Sequence, residues 1–238
     1  MGKIRLDKYI ADACLLPRKD ATTAIRRGRV TVNDKLIRDA AYKTDETADT
    51  VTLDGETVRY RANLYYMLNK PAGYLCASED KSGMTVLTLF PEEAVNKGIA
   101  CVGRLDKDTT GLLLVTNDGA LAHRLLSPKS GTKKVYAVEC DKPFAAADIE
   151  TMHRGIIIEG KNTAPAELVI DEDNPHRAAV TLTEGKFHEV KRLCYACGEK
   201  EVINLHRLTF GALKLDESLE EGQYRFLSDE EIAALNEM

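Results

Sequence analysis

The spacing of apolar residues divides the first 60 residues into short helices and hairpins. Apolar positions recur every three to four residues near the start, and Pro17 and Gly28 mark helix ends. Further along, a turn dipeptide lies between the apolar pairs of 30–37, and Asp54-Gly55 within 51–58 is a still stronger signal for a tight turn. The pattern therefore predicts helices over 6–14 and 20–27, followed by hairpins over 30–37 and 51–58.

After a polar linker at 59–63, strand-like runs dominate the chain. They fall at 65–68, 111–115, 134–139, 155–158, 166–170, 178–182 and 202–205, with helical patterns at 118–126, 144–154, 188–197 and 228–236. Irregular alternation with many hairpin-like neighbours is typical of an α+β fold with a mixed, mainly antiparallel sheet. We therefore expect a small helix-helix-hairpin domain over 1–60 and a larger α+β domain over 63–238.

Composition narrows the class of protein. Hydrophobic residues make up 44% and charged residues 30% of 238 residues, which excludes collagen-like and wholly disordered chains. No apolar run approaches the roughly 18 residues of a membrane span, and charges near the start argue against an export signal. Six scattered cysteines without framework spacing favour reduced thiols and a cytoplasmic location. The length suffices for an independent core, so we expect a monomer.

The net charge of −5 hides an uneven distribution. Residues 1–43 hold 11 Lys/Arg against five Asp/Glu, whereas residues 216–238 hold eight acids against Arg225. The acidic end includes Ser228 and Glu231 at capping-box spacing, which predicts a short terminal helix. The basic segment is either a solvated helix face or a surface that contacts phosphate. Its candidate RNA-binding residues are Arg5, Arg18, Lys19, Arg26, Arg27 and Arg29.

Two polar clusters could carry chemistry. The loop over 103–111 holds Asp106 and Asp108 before a buried strand, and that spacing suits a turn, a catalytic carboxylate or a divalent cation. The segment over 183–193 leads into a helix that offers His188, Lys191 and Arg192. His188 and His206 lack a close third metal ligand, so a metal site is disfavoured there. The CxxC spacing at 194–197 lies in an apolar helical repeat and predicts core packing.

Three short segments follow one another in order along the chain. They are Asn69-Lys70-Pro71-Ala72-Gly73, Gly103-Arg104-Leu105-Asp106 with Asp108-Thr109-Thr110-Gly111, and the run from Glu184 to Arg192. These segments resemble the successive motifs of RNA pseudouridine synthases, and of the RsuA branch in particular. Residues 5–52 are similar to the small RNA-binding domain shared by a small-subunit ribosomal protein and tyrosyl-tRNA synthetases.

The resemblance implies isomerisation of a uridine to pseudouridine without a cofactor or metal. Asp106 then corresponds to the catalytic carboxylate, Lys191 to its basic partner, and Tyr136 to a tyrosine that stacks on the flipped base. The implied substrate-binding residues are Arg104, Val190, Asn69, Lys70 and Arg192. The implied partner is ribosomal RNA, free or in a partly assembled small subunit.

The RsuA branch points to small-subunit 16S rRNA, and a large-subunit uridine is the alternative substrate. Two other classes of protein fit part of the sequence. A non-catalytic rRNA-binding module would use only the small domain and would need no Asp–Lys pair. A metal-dependent phosphoryl-transfer enzyme could use Asp106 and Asp108, but the chain lacks a Gly-rich phosphate cradle.

Overall fold

The computed structural model describes residues 3–77, 83–158 and 160–238, which form two compact units. The first unit contains residues up to Leu64 together with Phe90–Gly98, and the second contains Tyr65–Leu89 and Ile99–Met238. In the described ranges, no helix is long and apolar enough to cross a membrane.

The first unit contains three helices and two small sheets. Its elements are β1 (Ile4–Arg5), α1 (Leu6–Cys14), α2 (Arg18–Arg26), β2 (Val30–Val32), β3 (Lys35–Leu36), β4 (Lys43–Thr44), β5 (Val51–Leu53), β6 (Glu56–Val58) and α3 (Glu92–Asn96). The order β3-β2-β5-β6 joins the two predicted hairpins into one four-stranded sheet, and β1 pairs with β4. Leu6, Ile10 and Ile25 lie in its core with the apolar residues of β2 and β5. Both predicted hairpins are confirmed.

The second unit is built on a nine-stranded sheet. Its strands are β7 (Tyr65–Lys70), β8 (Ala100–Cys101), β9 (Thr110–Thr116), β10 (Lys134–Cys140), β13 (Glu167–Ile170), β14 (Arg177–Leu182), β15 (Val202–Phe210), β16 (Leu213–Lys214) and β17 (Tyr224–Phe226). The order is β13-β14-β10-β15-β9-β7-β17, with β16 beside β15 and β8 beside β9. Within the described sheet only β9 and β15 pair in parallel. The predicted mixed, mainly antiparallel sheet is confirmed.

Helices cover this sheet where the sequence predicts them. They are α4 (Gly119–Leu126), α5 (Ala146–Arg154), α6 (Glu189–Ala196) and α7 (Asp229–Asn236), with 3₁₀ turns at Val86–Leu89 and Pro128–Ser130. Asp118 caps α4 by accepting a hydrogen bond from Leu121 N at 3.0 Å. Ser228 and Glu231 form the predicted capping box of α7. The core behind β7 and β9 includes residues from α4 and α7.

The predicted strand over 155–158 is only partly correct. Gly155 ends α5 with φ 75°, so that the strand β11 covers only Ile157–Ile158, and it pairs with β12 (Lys161–Asn162). The strand predicted over 202–205 continues to Phe210, because it pairs with both β10 and β9.

Candidate active site

The loop over 103–109 connects β8 to β9 and carries Asp106. Lys70, at the end of the neighbouring strand β7, lies beneath this loop and is fully buried. Its Nζ lies near the carbonyl oxygens of Pro71 (3.0 Å), Asp106 (3.1 Å), Lys107 (3.3 Å) and Thr109 (2.8 Å). One ammonium group thus binds three carbonyls of the loop and fixes its backbone.

Burial has an electrostatic cost for Lys70. Desolvation lowers its pKa, while nearby groups that include the Asp108 and Asp106 carboxylates oppose that shift. The backbone carbonyls supply hydrogen bonds in place of water, which a buried ammonium requires.

The Asp106 carboxylate lies between two basic side chains of the 188–191 segment. Lys191 Nζ is 3.6 Å from Asp106 Oδ2, and His188 Nε2 is 3.5 Å from Oδ1. Lys191 donates its hydrogen bonds instead to Asp108, at 2.6 and 2.8 Å. These bonds hold the pKa of Asp108 below its ordinary value against the opposing effect of partial burial. Lys191 therefore bridges both acids of the loop rather than pairing with Asp106 alone.

Several elements of the second unit line a narrow cleft of about 70 Å³. Asp106 and Arg104 come from the loop, Tyr136 from β10, and Val190 with Lys191 from the first turn of α6. Tyr136 and Val190 are 7% and 5% exposed, so they give the cleft apolar walls beside a carboxylate. Five of the predicted catalytic and substrate-binding residues thus meet in one place, although they are up to 87 positions apart in the sequence.

A wider cavity of about 590 Å³ adjoins the cleft and shares several of its residues. Arg104, Asp106, Tyr136 and His188 line both. The remaining walls of the cavity come from the end of α4 and the loop over 183–188, and Lys134 and Arg207 also line it.

Three residues predicted to bind substrate are not brought to either cavity. Lys70 is buried under the loop, as described above. Asn69 is 7% exposed, and its Nδ2 donates to Leu219 O at 2.8 Å, so it serves the fold. The Arg192 guanidinium lies over the Phe187 ring, 5.5 Å from its centroid. A sequence motif does not distinguish a buried polar residue from one that faces a ligand, and the substrate-binding roles of these three residues stay predictions.

Two carboxyl groups near the cleft were not predicted, one buried and one partly buried. Glu189, 3% exposed, accepts a hydrogen bond from Lys186 N at 2.6 Å, and Glu184 accepts one from Ala164 N at 2.6 Å. Burial, reinforced by the adjacent Glu184 carboxylate, raises the pKa of Glu189 to about 7. Their sequence separation of five gave no signal, because the turn before α6 brings them together.

The predicted RNA-binding residues all lie on the exposed surface of the first unit. Arg5 and Arg18 bind the buried Asp7 carboxylate at 2.8 and 3.0 Å, and these contacts lower the pKa of Asp7 to about 2. Arg29 Nε donates to Asp54 at 2.8 Å. Three of the predicted cations therefore already have partners within the unit. The other three are Lys19, Arg26 and Arg27, at one face and the end of α2.

The cysteine and metal predictions can be compared with the described residues. Cys194 and Cys197 are buried on α6 and at its end, as the core-packing interpretation expected. Among the residues that the structure describes, no three His, Cys, Asp or Glu side chains come together as a metal-ligand set.

The fold has two units, and the cleft of the second holds a carboxylate between basic side chains and apolar walls, as an enzyme active site does. Comparison with known proteins shows the family to which the chain belongs. Residues 64–196 match the RNA pseudouridylate synthase model, and residues 4–49 match the S4 domain. The chain belongs to the RNA pseudouridylate synthase family and carries an amino-terminal S4 domain.

Individual relatives cover nearly the whole chain. It is 41% identical to ribosomal small subunit pseudouridine synthase A of Vibrio cholerae, over 98% of this chain and 99% of that protein. It is 38% identical to the Escherichia coli K12 protein of the same name, over 98% and 100%. A crystal structure of a pseudouridylate synthase superposes with TM-score 0.68 at 36% identity, covering 98% and 99%.

Proposed function

We propose that this enzyme converts one uridine of small-subunit ribosomal RNA to pseudouridine, with Asp106 as its catalytic carboxylate. The observation that carries this proposal is the convergence of Asp106, Lys191 and Tyr136 in one cleft with an apolar wall. The relatives named for the ribosomal small subunit support the choice of RNA. An enzyme with such a substrate works in the cytoplasm.

The reaction is an isomerisation that needs no outside reagent. The N1–C1′ glycosidic bond breaks, the uracil rotates, and a C5–C1′ bond forms. C5 loses a proton and N1 gains one, so the atoms balance. A carboxylate assists this sequence by attacking the sugar or by accepting one of its protons. Lys191 Nζ and His188 Nε2 lie within 4 Å of the Asp106 carboxylate, one beside each oxygen, and can hold it in place for this step.

The cleft walls fit the base that has left the RNA stack. The Tyr136 ring offers a stacking surface, and Val190 offers an apolar contact on the α6 side. Arg104 lies on the same loop as Asp106, where its cation can fill the gap left in the RNA or brace a phosphate. These contacts would offset the few kcal/mol that base extrusion costs.

Substitution of Asp106 by Asn tests the catalytic assignment. The amide keeps the shape of the side chain but cannot act as a base or nucleophile. We expect tritium release from C5-labelled uridine in 16S rRNA to fall about 10³-fold or more, while RNA affinity stays within a few-fold.

Asp108→Asn is the matched control for this test. It removes the negative charge and one of the two acceptor oxygens that Lys191 contacts on the same loop, so it should slow the reaction without abolishing it. Substantial turnover by Asp106→Asn, or equal inactivation by both variants, would contradict the assignment.

The substrate is tested separately from the chemistry. Pseudouridine mapped in both ribosomal RNAs from cells lacking the enzyme should disappear at one small-subunit position. Loss at a large-subunit position would replace the substrate and keep the reaction. Unchanged maps together with retained RNA binding would favour the non-catalytic module.

A further inference from the structure

Two buried cations lie at the base of the wider cavity beside Asp106. Lys134 on β10 is 9% exposed, and Arg207 on β15 is 1% exposed. In the register of these strands Arg207 is directly opposite Tyr136. Both cations line the same 590 Å³ cavity as Asp106 and Tyr136. They therefore lie next to the place where the reacting nucleotide is proposed to bind.

The hydrogen-bonding capacity of the two cations is only partly used. Arg207 Nε donates to Leu112 O at 2.7 Å, but its Nη2 is buried and has no partner in the part of the chain that the structure describes. Lys134 Nζ donates to Thr132 O at 2.8 Å, which uses one of its three hydrogens. The Phe210 ring lies against both cations, with Nζ 5.7 Å and the guanidinium carbon 5.1 Å from its centroid.

Neighbouring acids do not complete this pair. Glu184 binds Lys186 Nζ and Ala164 N, and Glu189 accepts from Lys186 N. No hydrogen bond joins either carboxyl to Lys134 or Arg207 within the described residues. Burial and then the Arg207 charge lower the pKa of Lys134, and the charges of Glu189 and Glu184 oppose this shift without reversing it. Buried like charges without a bound carboxylate are costly unless an anion enters.

We propose that Lys134 and Arg207 form a phosphate subsite that binds an RNA phosphodiester next to the target uridine. This inference rests on the proposed function, because the subsite shares its cavity with Asp106 and Tyr136. A phosphodiester carries a negative charge that offsets the two positive charges. Its oxygens can accept hydrogen bonds from the N–H groups that Lys134 and Arg207 leave unused. The subsite would position the nucleotide through its backbone, while the cleft binds its base.

The test is a binding cycle between one residue and one phosphate. Lys134→Met removes the charge and keeps most of the side-chain volume. The RNA is a small-subunit rRNA fragment with its target uridine, compared with fragments that carry one uncharged methylphosphonate on the 5′ or 3′ side. We expect one of these linkages to weaken wild-type binding roughly tenfold. Lys134→Met should bind unmodified RNA roughly tenfold more weakly than wild type does. Its affinity should not fall further when the RNA carries that methylphosphonate, because the cation that the phosphate would contact is already absent.

Lys133→Met is the matched control, since Lys133 is the exposed neighbour of Lys134 on the same segment. It should keep the wild-type response to the methylphosphonate. Additive losses in Lys134→Met would overturn the subsite. The wild-type enzyme alone gives a second test that needs no variant, because insensitivity to both linkages would also overturn it.

Two further measurements distinguish an RNA phosphodiester from free phosphate, and binding from turnover. If inorganic phosphate shifts the Lys134 side-chain resonance but neither methylphosphonate weakens RNA binding, the ligand is free phosphate and the RNA subsite is wrong. Conversion of the unmodified fragment is measured in a separate reaction. The affinity cycle needs no turnover, so a failed proposed function and a failed subsite give different results.

Discussion

Lys70 shows how a single residue can fix the backbone of a loop, here the loop over 103–109 that carries Asp106. Its resemblance to a substrate-binding position suggested a ligand contact, but its ammonium is enclosed by backbone carbonyls of the loop that carries Asp106. The sequence alone does not indicate whether a lysine in a strand is buried in the fold or faces a ligand. The neighbouring loop determines where the Lys70 ammonium lies, because the carbonyls of this loop are out of reach of water and need another hydrogen-bond donor.

Lys70→Met should therefore destabilise the protein and displace the loop. It leaves several buried carbonyls without a donor, and we expect the free energy of unfolding to fall by about 3 kcal/mol. Urea unfolding measures this loss. Lys107→Met, on the exposed side of the same loop, is the control and should change stability by less than about 0.5 kcal/mol. Equal effects of the two substitutions would show that Lys70 does not hold the loop.

Glu189 predicts a pH dependence of stability. Its folded pKa of about 7 lies above its ordinary value of 4.5, because burial and Glu184 disfavour the charge. The folded state then binds more protons than the unfolded state between these values, so stability falls as pH rises through this window. Glu189→Gln should be about 1–3 kcal/mol more stable than wild type at pH 8, with little difference near pH 4.

Urea unfolding at a series of pH values checks this prediction. Glu150→Gln, on the exposed surface of α5, is the control and should leave the pH profile unchanged. A Glu189→Gln profile parallel to that of wild type would show that Glu189 is ionised throughout the window.

At the scale of elements, one glycine permits the parallel pairing of β9 with β15. Gly111 is opposite Arg207 in this pair and has φ +99°. A Cβ at Gly111 would lie 2.4 Å from Arg207 O and 2.6 Å from its N. The pair brings the strand after the Asp106 loop beside the strand that carries Arg207. A side chain at this position would push the two strands apart.

Gly111→Ala should lower the free energy of unfolding by about 3 kcal/mol or more, through both the contact and the strained backbone. Gly119→Ala is the matched control, since Gly119 begins α4 with no atom within 4 Å of its Cβ position. That change should be neutral or stabilising by up to about 1 kcal/mol. Thermal unfolding of both variants measures these changes. A Gly111→Ala protein as stable as wild type would show that this position tolerates a side chain.

Elements with a clear period were predictable, whereas the short ones were not. The four helices of the second unit begin within two residues of their predicted starts, because capping residues and apolar spacing are local signals. β8, β16 and β17 have two or three residues each, which is too short for an alternation of apolar and polar residues to be recognised in the sequence. They form because an adjacent strand offers free backbone groups, which is a property of the sheet.

At the scale of the molecule, the basic segment over 1–43 and the acidic end over 216–238 are not simply two oppositely charged surfaces. The acidic end is part of the second unit, where Arg225 binds Asp216 at 2.6 Å and Glu231 at 2.8 Å. Leu227 and Leu235 from this segment lie in the core. The six predicted RNA-binding residues of the basic segment are likewise divided, into three arginines bound to acids and the cations Lys19, Arg26 and Arg27.

These three cations should dominate the salt dependence of the small domain. Replacing all three with Gln should reduce the slope of log affinity for rRNA against log salt by about two to three. The control replaces Lys142, Lys161 and Lys214, exposed lysines of the second unit, with the same change in net charge. Affinities measured at several salt concentrations compare the slopes. Equal slopes for the two triple variants would show that the α2 surface does not contact phosphate.

The sequence by itself determined the family, the α+β class and the residues that meet at Asp106, because motif order and local periodicity are written along the chain. Only the tertiary structure decided which polar residues face the cleft. Lys70 and Asn69 belong to a segment that resembles the family but are buried in the fold, while Lys134 and Arg207 are far apart in sequence and share one cavity. The reason is physical: burial and hydrogen-bond partners depend on neighbours brought together by sheet register, and register is set by contacts distant in sequence.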